Sequence, residues 1–157
     1  MTLLKLLSDY FSLANWRRLK PVNDRDSLKE FLVTRASFVA QTSLYGYLRT
    51  RAGMRYPELF DDPPFVVSIN IAKWQIWLAC LSDLAIYAGG LLQKNPHYNE
   101  KAVSTLMQQI VDEILEDTGL PDDAGDKFAE NAEHVRNRLR QEPEDMEGRF
   151  TAHTYCA

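Results

Sequence analysis

The sequence predicts an all-α fold: a compact bundle of about five helices around an apolar central helix, followed by a loose polar tail. Three observations predict it. Residues Trp74 to Leu92 (WQIWLACLSDLAIYAGGLL) hold two of the three tryptophans and a single charged side chain, Asp83. Val103, Leu106, Met107, Ile110, Val111, Ile114 and Leu115 recur at i, i+3, i+4, i+7 spacing without a break. No two stretches alternate as a strand pair, and no segment repeats at a fixed period.

The elements follow in chain order. Leu3 to Ala14 is an amphipathic helix, with Leu3, Leu6, Leu7, Tyr10, Phe11, Leu13 and Ala14 on one half of the wheel and Lys5, Ser8, Asp9 and Ser12 on the other. Pro21 marks a connection. Ser27-Leu28-Lys29-Glu30 reads as a capping box opening a helix from Leu28 to Ala52, with Gly53 as its stop. Tyr56 to Pro64, with three prolines and three acids, is a connection. Phe65 to Ile71 is either extended or the opening of the next helix, because its β-branched residues suit both, and Asn70 is a candidate N-cap. A helix then covers Ala72 to Leu92. It carries a stripe of small and polar residues (Ala72, Gln75, Ala79, Ser82, Asp83, Gly89, Gly90) and a bulky one that includes Trp74, Trp77, Leu78 and Leu81. Asn99 caps a helix over 100–118, closed by Gly119 and Pro121. The last helix opens at Asp122 and ends at Pro143. Its acids come early and Arg136, Arg138 and Arg140 late, as the helix dipole prefers. One domain thus spans residues 1–143, with residues 144–157 as a polar tail.

Totals exclude some classes of function. A net charge of −4 argues against nucleic acid as a partner. The charge is uneven: residues 1–96 hold 12 Lys/Arg against 8 Asp/Glu, and residues 97–157 hold 6 against 14. Two cysteines, Cys80 and Cys156, make no disulfide framework, which fits a reducing compartment and a cytoplasmic location. The N-terminus lacks the apolar run and small-residue cleavage site of a secretory signal.

The apolar helix must be covered by protein or by lipid. A spanning helix needs about 20 apolar residues, and an aspartate at its centre costs about 2.5–3.5 kcal/mol. Gln75, Ser82 and Asp83 lie inside the candidate span, so the expected place of this helix is the centre of the bundle. A buried Asp83 needs a partner, and Arg35, set among apolar residues of the preceding helix, is the candidate.

The sequence carries few chemical motifs. His97, His134 and His153 are scattered, and neither Cys nor His clusters at ligand spacing, so no metal and no cofactor is expected. The Glu-x-x-His pattern of di-iron helices fails at His134, where Asn131 stands three residues earlier. Gly-x-Ser-x-Gly is missing, and Gly89-Gly90 has no lysine to make a phosphate loop. Glu58, Asp61 and Asp62 form an acidic loop that reads as solvated. Arg49, Arg51 and Arg55 cluster at a helix C-terminus, where they offset the dipole and offer an anion contact.

The expected function is therefore a non-catalytic helical protein-interaction module, an adaptor, assembly factor or small regulatory subunit. It would bind a protein partner through the N-terminal helix and the acidic face of helix 100–118. The alternative is a small-molecule or lipid-binding protein, or an enzyme. In it Tyr45, Tyr47, Trp74 and Trp77 would line a pocket and Arg49 or Arg51 would hold an anionic head group. A third reading is a membrane-attached subunit, touching the bilayer surface through residues 3–20 with Trp16, Arg17, Arg18 and Lys20 at the head groups.

Overall fold

Asp24, not Ser27, starts the first described helix. The computed structural model describes residues 21–140, and within them α1 runs Arg25–Ala52. The Asp24 carboxylate accepts the Ser27 N–H at 2.7 Å, and the Ser27 hydroxyl accepts the Asp24 N–H at 3.1 Å. The capping box expected at Ser27 to Glu30 is thus shifted by one turn, and Ser27 plays the reciprocal role that Glu often plays. A carboxylate caps as well as a hydroxyl and adds negative charge at the positive end of the helix. Gly53 stops α1 with φ 57, in the region where only glycine is at ease.

The connection holds more structure than its prolines suggest. Gly53–Asp61 is a 3-10 helix with Pro57 inside it. The chain then enters α2 (Pro63–Gln93) directly, with Pro63 and Pro64 at its first two positions. Proline fits there because its missing N–H has no intrahelical acceptor to lose. Phe65 to Ile71 is therefore helical, and Asn70 lies inside α2 rather than capping it. Helix α3 (Glu100–Thr118) has the expected bounds, with Asn99 accepting the Lys101 N–H at 2.8 Å and Gly119 at φ 62. Helix α4 covers Phe128–Arg140. Its start is six residues later than expected, because Gly125 turns the chain at φ 75 before the helix begins. Among the described residues there are four helices, one 3-10 segment and no strand. The fifth expected helix, Leu3 to Ala14, and the tail lie outside the described residues.

The fold is all-α, and α2 is its centre. It packs against α1, α3 and α4. Its Trp77, Leu78, Leu81 and Ala85 meet Leu32 and Ala36 of α1, Ile110, Val111 and Ile114 of α3, and Phe128, Ala132 and Val135 of α4 in one core. Small residues let the helices close up: a Cβ on Gly89 would stand 3.2 Å from Met107 Cγ. By length and composition α2 also qualifies as a membrane-crossing helix, and only 33% of its most apolar 18-residue stretch is buried.

Part of the uneven charge is taken up by ion pairs between the helices. Arg25 and Lys29 at the start of α1 bind Glu113, and Lys29 also reaches Asp117 at 2.6 Å. Lys73 of α2 holds Asp123 at 2.8 Å, and Arg136 of α4 holds Asp112 at 3.1 Å. On the acidic face of helix 100–118, Glu113 and Asp117 tie α3 to α1 and Asp112 ties it to α4.

These pairs predict the pH response. Hydrogen bonds from Lys29 and then Arg25 hold the Glu113 carboxyl below the usual carboxylate range. Burial pushes the Asp123 carboxyl up, but Lys73 and Trp74 outweigh it and leave it lowered. Asp117 and then Glu113 raise the Lys29 ammonium. A lowered carboxyl stabilises above its unfolded pKa, and that contribution is lost as pH falls through the folded value. A raised ammonium stabilises below its unfolded pKa, and that contribution is lost as pH climbs through the folded value. The melting temperature is expected to be flat across neutral pH and to fall below about pH 4. In Glu113→Gln the fall on the acid side should be shallower, as followed by circular dichroism.

Candidate functional site

Of the two tryptophans of α2, Trp77 stands in the core and Trp74 at its edge. Trp77 is buried and donates its indole N–H to Ser37 Oγ of α1 at 3.1 Å. Trp74 packs edge-on against Trp77 and Phe128, each at 5.6 Å between centroids, and donates its N–H to Asp123 Oδ1 at 2.6 Å. Lys73 covers the Trp74 ring from 4.9 Å. Both rings therefore join α1 and α4 to α2.

The tyrosines stand elsewhere. Residues two apart on a helix point about 200° from each other, so Tyr45 and Tyr47 cannot share a wall. Each instead has an arginine one turn on, Arg49 and Arg51, and Arg51 lies 5.7 Å from the Tyr47 ring centroid. The aromatic-lined pocket drawn from Tyr45, Tyr47, Trp74 and Trp77 is not assembled. One open surface groove, of about 500 Å³, runs between α2 and α4 past Gln75, Ser82 and Arg138. Another, of about 480 Å³, lies along α3 by Asn99 and Leu106. None of the four aromatics lines either groove.

The expected buried pair is also corrected. Asp83 is 66% exposed and binds Arg138 of α4 at 2.6 Å, not Arg35. Arg138 also donates to Ser82 Oγ at 3.0 Å. Arg35 lies over the ring of Phe31, 5.7 Å from its centroid. Asp83 sits on the outward side of α2, where water lowers the cost of its charge, and such an exposed pair contributes at most about 1 kcal/mol.

Reactive groups give no catalytic set. Burial and then the Asp83 charge push the Cys80 thiol up, away from the thiolate that nucleophilic catalysis uses. His134 lies 4.0 Å from Glu130 on an exposed turn. Among the described residues no three His, Cys, Asp or Glu side chains come together as metal ligands.

One surface stands out, and helix geometry explains it. The bond between Ser37 and Trp77 sets these two residues at one level of the antiparallel α1–α2 pair. Tyr47 is ten residues after Ser37, and Val67 ten before Trp77, so the pair brings them level with each other. Both continue lines that are buried further along. On α2 the line runs Leu81, Leu78, Trp74, Ile71, Val67. On α1 it runs Leu32, Ala36, Ala40, Leu44, Tyr47. Over the body of the bundle α3 and α4 cover these lines. Their cover ends where Phe128 meets Trp74 and Gly125 meets Ile71. Beyond that point Tyr47 is 57% exposed and Val67 59%. At this arm of the α1–α2 hairpin the 3-10 segment contacts both helices and Leu48 stays buried, while Tyr47 and Val67 leave an exposed apolar shelf near Arg51. Among the described residues no acid pairs with Arg49 or Arg51, while Arg55 is held by Glu58 at 3.0 Å.

Sequence reasoning singled out Tyr47 and Arg51 for a pocket but missed Val67 and the shelf they share. The one available signal was that α1 and α2 outrun α3 and α4, and it was hidden while Phe65 to Ile71 remained ambiguous. No family model, curated protein or solved structure matches the chain.

Proposed function

We propose that the protein is a non-catalytic helical binding module that takes an amphipathic helix of a partner protein on the shelf of the α1–α2 arm. The observation that carries this reading is the exposure of Tyr47 and Val67 at one level, on lines that are core elsewhere. An apolar stripe left open between two helices is what a helix-in-groove partner fills. Tyrosine and arginine are the residue types enriched where binding energy concentrates. Arg49 and Arg51 favour a partner with acidic residues flanking its apolar stripe. The free thiol of Cys80 and the scarcity of cysteine fit work in a reducing, cytoplasmic compartment.

The test is capture from lysate of the cells that make the protein, using the full chain as bait. Tyr47→Asp/Val67→Asp is compared with Tyr98→Asp, an exposed position away from the arm. The expected result is a partner retained by the wild-type and Tyr98→Asp chains and reduced at least tenfold with the double variant, a loss of about 1.4 kcal/mol or more. A partner that binds all three equally would remove the shelf from its role.

A further inference from the structure

The groove between α2 and α4 holds hydrogen-bonding groups that the fold does not use. The two helices run the same way there, with Phe128 against Trp74 at one end and Arg138 against Ser82 and Asp83 at the other. The Asn131 N–H donates to the Lys127 carbonyl at 3.0 Å, so Lys127 already follows the path of α4. Lys127, Asn131, His134 and Arg138 come at spacings of four, three and four, which sets them on one side of that path. Gln75, Ala79 and Ser82 do the same on α2. All of them line the groove, over a floor of buried Leu78 and Val135. Among the described residues the Lys127 ammonium and the Gln75 and Asn131 amides have no partner. No acid lines the groove, although Asp83 binds Arg138 and Glu130 stands 4.0 Å from His134.

These groups define an occupant. A side-chain amide offers N–H donors and one carbonyl acceptor, as a peptide group does, so an amide on each wall suits a backbone laid between them. Lys127 and Arg138 are about 16 Å apart along the helix, too far for one small anion to reach both. An extended chain rises about 3.3 Å per residue and turns every second side chain the same way. Its first and fifth side chains therefore stand about 13 Å apart on one side, within reach of both flexible cations, and its third meets Ala79 and Val135. A volume of about 500 Å³ over that length leaves a cross-section of roughly 30 Å², enough for an extended chain but well under the roughly 80 Å² of a helix 10 Å across. We infer that this groove binds an extended peptide with acidic residues at its first and fifth positions and an apolar one at its third. The acids pair with Lys127 and Arg138, and Gln75 and Asn131 hold the backbone. The site is separate from the Tyr47–Val67 shelf and does not depend on it.

The probe is fluorescein-labelled Glu-Thr-Val-Thr-Glu amide, and its anisotropy is read against the full chain. Saturable binding is expected, with a dissociation constant below about 1 mM. On the wild-type chain, the amides of Glu-Glu-Thr-Val-Thr and Lys-Thr-Val-Thr-Lys should each bind about fivefold more weakly or worse. Glutarate, a small dicarboxylate, should displace the probe only at about tenfold the concentration that the unlabelled peptide needs. Lys127→Glu and Gln75→Ala/Asn131→Ala should each weaken binding about fivefold or more. Lys101→Glu, in the groove along α3, and Tyr47→Asp/Val67→Asp should leave it unchanged. The peptide series is read on the wild-type chain, so it stands even where a variant misfolds. Failure to saturate below about 5 mM peptide overturns the inference. Equal affinity for the two acidic peptides rejects it, because the groove would then read net charge alone. Glutarate as potent as the peptide rejects it in favour of a small-anion site. Unchanged affinity in both groove variants places the peptide elsewhere and rejects it too.

Discussion

Leu81→Ala is expected to destabilise the protein by about 3 kcal/mol or more, seen as a lower urea midpoint with an unchanged slope. Leu81 is fully buried at the centre of α2, where α1, α3 and α4 meet, so the removed methyls leave a cavity that three helices would have to move to fill. Against a total stability of about 5–15 kcal/mol, such a loss is large. Leu91→Ala, on the same helix but half-exposed, should cost about 1 kcal/mol or less. The contrast decides what wraps α2. Acyl chains are as apolar as leucine and flow into gaps, so a lipid-covered Leu81 would be replaced at little cost. A protein-covered Leu81 would not.

How much of this architecture was legible in the sequence depended on whether the deciding signal was local. Helix α3 was read with its bounds intact because its cap, its period and its glycine stop lie within about twenty consecutive residues. The start of α1 was misplaced by one turn because Asp24 and Ser27 are both competent caps, and only the backbone position shows which comes first. At the start of α2, Pro63 and Pro64 were given to the connection and Phe65 to Ile71 was left undecided, because prolines and a β-branched run argue against a helix interior, yet proline at the first turn argues for a start. The delayed start of α4 turned on the φ of Gly125, which composition does not reveal. The partner of Asp83 was misassigned because the choice between Arg35 and Arg138 depends on which neighbour α2 turns that side toward. The shelf at Tyr47 and Val67 was out of reach for a related reason. Nothing within either helix marks where its cover stops, because that is set by the ends of α3 and α4.

The turn before α4 combines a positive φ with a close contact to α2, and Gly125→Ala is expected to destabilise by about 2–3 kcal/mol. Two effects add. Gly125 holds φ 75, where a side chain costs about 1–2 kcal/mol. A Cβ there would also stand 3.0 Å from Ile71 Cγ1 and 3.1 Å from Cδ1, and moving that side chain costs about 1 kcal/mol more. Gly119 separates the two effects. At φ 62 and ψ −144 a Cβ there meets nothing within 4 Å, so Gly119→Ala should cost only a backbone share, about 1–3 kcal/mol. Ile71→Ala removes every side-chain atom that a new Cβ would strike. In the double variant Gly125→Ala/Ile71→Ala the sum of the single costs should therefore exceed the measured cost, giving a favourable coupling of about 0.5 kcal/mol or more by urea unfolding. Strict additivity would mean that Ile71 yields freely. In that case the contact that ends the cover over α2, and so exposes Val67 beyond it, would be a loose one, and the shelf would lose its fixed edge.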